Sequence, residues 1–468
     1  MSKQQKKGIS WTFLSTFIGA IVQTLQFAFT VRYLSTSEVG ILAIVNVLLA
    51  IANMLKNFGL SSFLIHKQEI THQQQSSLFW LTMLIGAGIA TLVAIIAPFA
   101  SSYYVMPELE SLLYLSALNV LIIASCSQWQ ALMVKSFRFI GLAKIELIIK
   151  CSGLFTTLAF LELGYGVYSP VFAMLIINVF NLMLLFFANR HQFIPSLTWD
   201  NSISRQAFSY GMFQVGGQFL NQLRANLDTL LIGKVLGADS VGLYSMAKEL
   251  ILRPARLIQP VVSRFALPNF ATKQNDPHQQ GKLYLQTTTV LITINGIIYT
   301  SLLLLAQPIT HILYGETLSE QVAIYLQILA LFGFIRCLGS PMGAIAQANG
   351  RTDVEFRWNL ISTLIFAIII GTSVNYGLLV TTIAMSLGQL FTSHLSYFLF
   401  LRPVCTVPFK QFLSLSLPTS LVLIIQMLTL NYMYLDMMTY IFAALALYGL
   451  LFFVNKKPFM TTLKMMMK

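Results

Sequence analysis

Apolar stretches of 18 residues or more recur along the whole chain, one of them reading "SPVFAMLIINVFNLMLLFFAN" from Ser169. A helix of about 20 such residues crosses the roughly 30 Å hydrocarbon core of a bilayer, and in lipid it satisfies every backbone N–H and C=O internally. Repeated this often, the pattern excludes a soluble globular fold and predicts an all-α polytopic membrane protein. Composition agrees. Of 468 residues, 56% are hydrophobic and 10% charged, with a mean hydropathy of +0.73. The spans leave no stretch for a separate soluble domain. The opening segment, "MSKQQKKGISWTFLSTFIGAIVQTLQFAFTVRYL", is too long for a signal peptide and has no small-residue cleavage site, so it is expected to stay as the first span.

About fourteen transmembrane helices are expected, near 9–33, 39–58, 77–97, 112–133, 143–162, 167–188, 207–236, 240–264, 283–306, 320–346, 357–375, 378–401, 411–431 and 437–455. An even count puts both termini on one side. Lys3, Lys6 and Lys7 assign that side to the cytoplasm, because segments rich in Lys and Arg resist translocation. On this reading 23 of the 29 basic residues are cytoplasmic, including Lys56, Lys67, Lys135, Arg138, Lys144 and Lys150. Outer loops carry acids instead: Glu38, Glu108, Glu110, Glu162, Asp239, Glu316, Glu320 and Asp436. The net charge of +13 is thus a topological signature, and no nucleic-acid partner is expected. The inner stretch "SSFLIHKQEITHQQQSS" reads either as a surface helix or as a solvated linker.

Enzymatic chemistry finds little support. Cys126, Cys151, Cys337 and Cys405 lie far apart with no CxxC spacing, so neither a zinc site nor a disulfide framework is expected. No GxxxxGK[ST], HExxH or GxSxG stretch is present. The outer loops are too short to carry the catalytic residues of a membrane glycosyltransferase or polymerase. A non-enzyme without metal or cofactor is expected.

The chain repeats itself. Arg32 to Leu42 reads "RYLSTSEVGIL" and Lys234 to Tyr244 reads "KVLGADSVGLY", an offset of 202 residues. In both, a basic residue ends one span, a polar turn follows, and Val-Gly opens the next helix. Ser, Thr and Asp suit the cap, and Gly permits close backbone packing. A fainter echo pairs "YLSALNVLIIASC" from Tyr114 with "YLQILALFGFIRC" from Tyr325. Two parallel-repeat six-helix bundles follow, spanning 1–190 and 207–402, with two additional C-terminal helices over 411–455.

This plan resembles the polysaccharide flippases of the multidrug/oligosaccharidyl-lipid/polysaccharide exporter superfamily, most of all the Wzx-type and colanic-acid-exporter-like branch. The residues carrying the resemblance are "RYLSTSEVGILAIVNVL", "NLDTLLIGKVLGADSVGLYSMAKELILRPARLIQPVVSRFALPNFA" and "AIAQANGRTDV". It implies transfer of an undecaprenyl-pyrophosphate-linked oligosaccharide from the cytoplasmic to the periplasmic leaflet of a bacterial inner membrane, by alternating access. It also implies a monomer that works beside polysaccharide polymerase machinery. A lipid II flippase and a drug/cation antiporter of the same superfamily are the alternatives.

The charges inside spans sharpen this expectation. Arg224, Asp228, Lys248, Glu249 and Arg253 facing lipid would together cost on the order of 10 kcal/mol, so they are expected to face one another or a cavity. Arg224 and Asp228 are spaced i,i+4; Glu249, Arg253 and Arg256 are spaced i,i+4,i+7. Helices seven and eight are expected to form a hairpin turning near Ala238. Counting outward from that turn pairs Asp228 with Lys248 and Arg224 with Glu249. Arg253, Arg256 and Arg336 are left as surplus positive charge, and with Arg224 and Lys248 they form the candidate pyrophosphate site. Gln23, Gln26, Asn46 and Asn53 are candidates to face the sugar. Pro254 is a candidate hinge. For coupling, Asp228 and Glu249 are candidate proton or sodium-ion sites, with the membrane potential as the alternative. Lys56, Arg256 and Arg264 read by default as snorkelling anchors at the inner interface.

Overall fold

The computed structural model describes residues 3–57, 59–67, 69–274, 276–415, 420, 421 and 424. Every regular element among them is helical. In chain order the α-helices are α1 (Lys3–Tyr33), α2 (Thr36–Asn57), α3 (Leu60–His66), α4 (His72–Tyr104), α5 (Pro107–Lys135), α6 (Phe139–Glu162), α7 (Ser169–Asn189), α8 (Asn201–Ala271), α9 (Pro277–Leu304), α10 (Ala306–Tyr314), α11 (Glu316–Cys337), α12 (Ser340–Ala348), α13 (Thr352–Ser373) and α14 (Leu378–Ser396). Local chemistry sets many of their ends. Thr71 and Gln74 form a capping box at the start of α4. Asp276 caps α9, accepting from the N–H groups of His278 and Gln279, with Pro277 in the first turn. Gly315, Gly350 and Gly377 take positive φ where helices stop.

Ten helices among the described residues are long and apolar enough to cross a membrane. They cover most of the expected spans. One of them, Gln218–Ile258, takes in two expected spans, because helix continues on either side of a break at Gly237 (φ 80°, ψ −176°). The expected turn near Ala238 is thus one residue away from that break. The expected span 143–162 is the helix α6, whose Lys144, Glu146 and Lys150 set it apart from the purely apolar ones. The span 411–431 is described only in part, and 437–455 lies outside the described residues.

The chain divides into two compact units, Met1–Gly242 and Leu243–Lys468. In the first, α5 is the central helix and packs on α2, α3, α4 and α7. Its Leu109, Leu112, Leu113, Val120 and Ala124 are buried almost completely. The stretch "SSFLIHKQEITHQQQSS" contributes α3, whose Leu60, Phe63 and Leu64 join a core with Phe79, Trp129 and Phe193. The segment after α7 folds back onto α4 and α5. There the indole N–H groups of Trp80 and Trp129 donate to the carbonyls of Ser196 (2.9 Å) and Phe193 (3.3 Å). Separately, α1 packs on α6.

In the second unit α11 plays the same central part, packed on α9, α10 and α14. Tyr299 of α9 donates to the Ile251 carbonyl (2.9 Å), and Tyr314 of α10 to that of Met246 (3.1 Å). Gly333 of α11 lies so close to Tyr299 and Ile251 that a Cβ there would come within 2.4 Å and 2.6 Å of them.

The two units repeat one another in local detail. After α5, the N–H groups of Ser136, Phe137 and Arg138 donate to the carbonyls of Leu132, Val134 and Met133. After α12, those of Asn349, Gly350 and Arg351 donate to Ile345, Gln347 and Ala346, the same pattern displaced by 213 residues from Phe137 to Gly350. The "QANGRTDV" stretch is therefore a helix-ending turn. Asn349 exchanges amide hydrogen bonds of 2.9 Å with Gln280, and Arg351 pairs with Asp353.

Candidate functional site

The helix that follows Gly237 carries the densest charge within a span. Its Lys248, Glu249, Arg253 and Arg256 amount to three cations and one acid in nine residues. Helical spacing brings three of them together. Glu249 Oε1 accepts from Arg253 Nη2 at 2.9 Å and from Arg256 Nη1 at 2.9 Å. Arg253 is the sheltered partner, its side chain 16% exposed against 61% for Arg256. Lys248 sits with Nζ 5.5 Å from the centre of the Tyr244 ring, a cation–π contact. The cluster is thus a carboxylate gripping two guanidinium forks with a lysine beside it, net positive in an apolar helix. Such a group offers many N–H donors to an anion and one carboxylate that an anion must compete with.

Pro254 lies next to Arg253. Proline removes one N–H from the ladder, yet the backbone keeps helical angles through this position, and Gly237 is the one break within α8. The Tyr299 hydrogen bond to Ile251 and the Tyr314 hydrogen bond to Met246 fall on the turns just before it. These tyrosines carry no charge or motif signal in the sequence. Arg336 is exposed in the last turn of α11.

The remaining candidates belong to the first unit. Asp228 is 6% exposed, and its Oδ1 accepts from the Thr229 backbone N–H at 2.7 Å. Arg224, one turn earlier, is half-buried. Gln23 and Asn46 are exposed. Gln26 donates to Thr157 Oγ1 at 2.9 Å and so ties α1 to α6. Asn53 is half-buried, with its Oδ1 buried and without a hydrogen-bond partner.

Three features escape the reading by residue type. Lys56 is 2% exposed and lies among α2, α4 and α5, near Gly86 and Cys126, so it is no snorkelling anchor. No carboxylate lies within ion-pair distance of it among the described residues. Lys150 sits on α6, its side chain pressed on Gly19 of α1 rather than in an inner loop. Glu146 lies one turn before Lys150 on the same helix. The α1–α6 contact is consequently polar along much of its length, running from Lys144 over the Trp11 ring through Lys150 and Gln26 to the Tyr33–Glu162 hydrogen bond. Apolar periodicity alone gives no warning of such a seam.

Comparison with known proteins places this geometry among relatives. The model of the family described as polysaccharide biosynthesis protein matches residues 29–323, and the MatE model matches residues 274–373. The amylovoran biosynthesis protein AmsL of Erwinia amylovora is 34% identical over 367 residues, covering 76% of this chain and 93% of that one. The lipopolysaccharide biosynthesis protein WzxC of Escherichia coli K12 is 26% identical over 423 residues, covering 89% and 86%. Among solved structures, the lipid II flippase MurJ in an inward closed conformation superposes with a TM-score of 0.75 at 15% identity, over 95% of this chain and 99% of that one.

Proposed function

The chain belongs to the polysaccharide biosynthesis protein family, and from that premise we propose that it is a flippase for lipid-linked oligosaccharides. It moves undecaprenyl-pyrophosphate-linked repeat units from the cytoplasmic to the periplasmic leaflet by alternating access, and it carries out no covalent chemistry. Both termini face the cytoplasm of a bacterial cell. The observation that carries this reading is the Glu249–Arg253–Arg256 cluster beside Lys248. A charged cluster of this sign within a span has an anion as its natural ligand, and a pyrophosphate accepts forked guanidinium hydrogen bonds.

In this scheme Glu249 is the resting counter-ion. The headgroup displaces it from Arg253 and Arg256, so the arginines are never left bare in the absence of substrate. Arg224, Lys248 and Arg336 add positive charge around the headgroup. Gln23, Asn46 and Asn53 offer neutral hydrogen-bonding groups for sugar hydroxyls, and Pro254 serves as the hinge. Asp228 or Glu249 takes up the coupling proton or sodium ion.

A deletion strain tests the reading. Oligosaccharide-lipid should accumulate on the cytoplasmic leaflet while peptidoglycan synthesis continues, and mass spectrometry of that lipid names the sugar. Arrested peptidoglycan synthesis with accumulated lipid II would instead support the alternative that the MurJ-like fold raises.

A further inference from the structure

The helix α6 has 24 residues, Phe139–Glu162, and Lys150 stands at its midpoint. At 1.5 Å per residue, either end of the helix is about 17 Å away. A stem of four methylenes cannot carry an ammonium that far, so snorkelling to an interface is closed to this lysine. Its side chain instead lies across α1. A Cβ built on Gly19 would come within 2.6 Å of both Cδ and Nζ of Lys150, so that glycine is the notch that leaves room for the lysine. Lys150 is half-buried, and among the described residues no hydrogen bond or ion pair holds its ammonium. Glu146, one turn before it, is exposed and beyond ion-pair distance.

The fold does not require this charge. The turns after α5 and α12 match with a register of 213 residues from Phe137 to Gly350. Carried along the helices that follow, the register sets Lys150 of α6 level with Thr363 of α13, Gly153 with Phe366, and Thr157 with Ile370. The second unit thus builds the same helix with a hydroxyl and apolar side chains where the first has an ammonium. The first unit adds amides beside it. A Cβ on Gly153, one turn beyond Lys150, would meet Gln26 Oε1 at 3.6 Å, and Gln26 also reaches Thr157. Gln23, one turn along α1 from Gly19, is exposed. A cation at mid-membrane depth with neutral hydrogen-bonding groups next to it marks the path of a polar, charged cargo. An ammonium is a compact point charge that suits a single carboxylate, whereas forked guanidinium groups suit a phosphate.

We propose that Lys150 is a specificity-determining residue and that the carried oligosaccharide is acidic, with a sugar carboxylate that pairs with this ammonium at mid-membrane depth. The proposal rests on the flippase reading above. The two anionic parts of the cargo then have separate counter-charges, the pyrophosphate at Arg253 and Arg256 and the sugar acid at Lys150. A carboxylate at that depth without a counter-charge meets the full desolvation cost of a bare ion. Pairing with Lys150 lowers that cost for acidic glycans alone.

Mass spectrometry of the oligosaccharide-lipid that accumulates in a deletion strain gives the first test, and an acidic glycan is expected. A neutral glycan overturns the proposal and leaves the flippase standing, whereas the absence of accumulated oligosaccharide-lipid removes the flippase reading itself. The second test places that lipid in proteoliposomes holding the full chain, once in its native form and once with its carboxyl groups reduced to alcohols. The quantity measured is the ratio of the two flipping rates. Lys150→Gln is expected to lower the ratio of acidic to reduced cargo by about tenfold or more, and Lys150→Arg to keep it within about threefold of the parent. Gly19→Ala crowds Cδ and Nζ of the lysine and should also lower the ratio several-fold. A residue that only packs α6 on α1 would slow both cargoes alike. An unchanged ratio in folded Lys150→Gln protein, or in Gly19→Ala where that variant does not fold, therefore overturns the proposal, and the glycan analysis decides whichever variant folds.

Discussion

Single side chains carry the cost of placing charge in a membrane, and here the structure separates two kinds. Glu249 serves two arginines unequally: Arg253 is sheltered and Arg256 exposed. Exposed pairs contribute little, because water and salt screen them, whereas a sheltered pair is hard to break one partner at a time. A double-mutant cycle of Glu249→Gln with Arg253→Ala is therefore expected to give a coupling of about 1–2 kcal/mol, and the same cycle with Arg256→Ala no more than about 0.5 kcal/mol. Equal couplings, read from thermal unfolding in detergent, would contradict the assignment of Arg253 as the anchor. Lys56 is the other kind, buried with no carboxylate within ion-pair distance among the described residues. Met has similar length and no charge to desolvate, so Lys56→Met is expected to stabilise the protein by on the order of 1–3 kcal/mol. A loss of stability would mean that the amine has a partner worth more than its desolvation.

At the level of whole helices, the repeat solves one geometric problem with two residues. The turn after α12 uses Gly350 at φ 66°, and the turn after α5 uses Phe137 at φ 55°. A left-handed angle suits glycine and costs other L-residues roughly 1 kcal/mol. The Phe137 ring is 66% exposed, with an edge contact to Phe139 at 5.9 Å, so little packing depends on it. Phe137→Gly is accordingly expected to leave stability unchanged or to raise it by about 1 kcal/mol, measured by melting temperature. A marked loss would show that the ring anchors the helix end at the membrane surface. The sequence shows the repeat most clearly where both copies need glycine, as at Gly40 and Gly242, and hides it where Phe137 stands for Gly350. For the same reason the helices themselves were easy to read, since twenty apolar residues have few other folds open to them. The polar α1–α6 seam was not, because the sequence does not say which helix covers Lys150, and only the packing of Gly19 in α1 against its side chain shows it.

For the whole molecule, charge sets direction, and the first unit shows how. Glu162 bonds to Tyr33, Asp239 to Thr36, and Glu38 to the Val167 N–H at 3.2 Å, which gathers these acids at one end of the helices. At the other end Lys135 donates to the Lys67 carbonyl at 2.5 Å, and Arg138 donates to the Ala188 carbonyl at 3.1 Å, capping α7. The alternation expected along the sequence is thus a real polarity of the folded unit. Basic segments resist translocation, so the end holding Lys67, Lys135 and Arg138 should face the cytoplasm. Single cysteines at Glu108 and Ser37 are then expected to react with an impermeant maleimide added outside intact cells. Cysteines at Gln192 and Thr272 should react only after the membrane is opened. The reverse pattern would invert the protein in the bilayer.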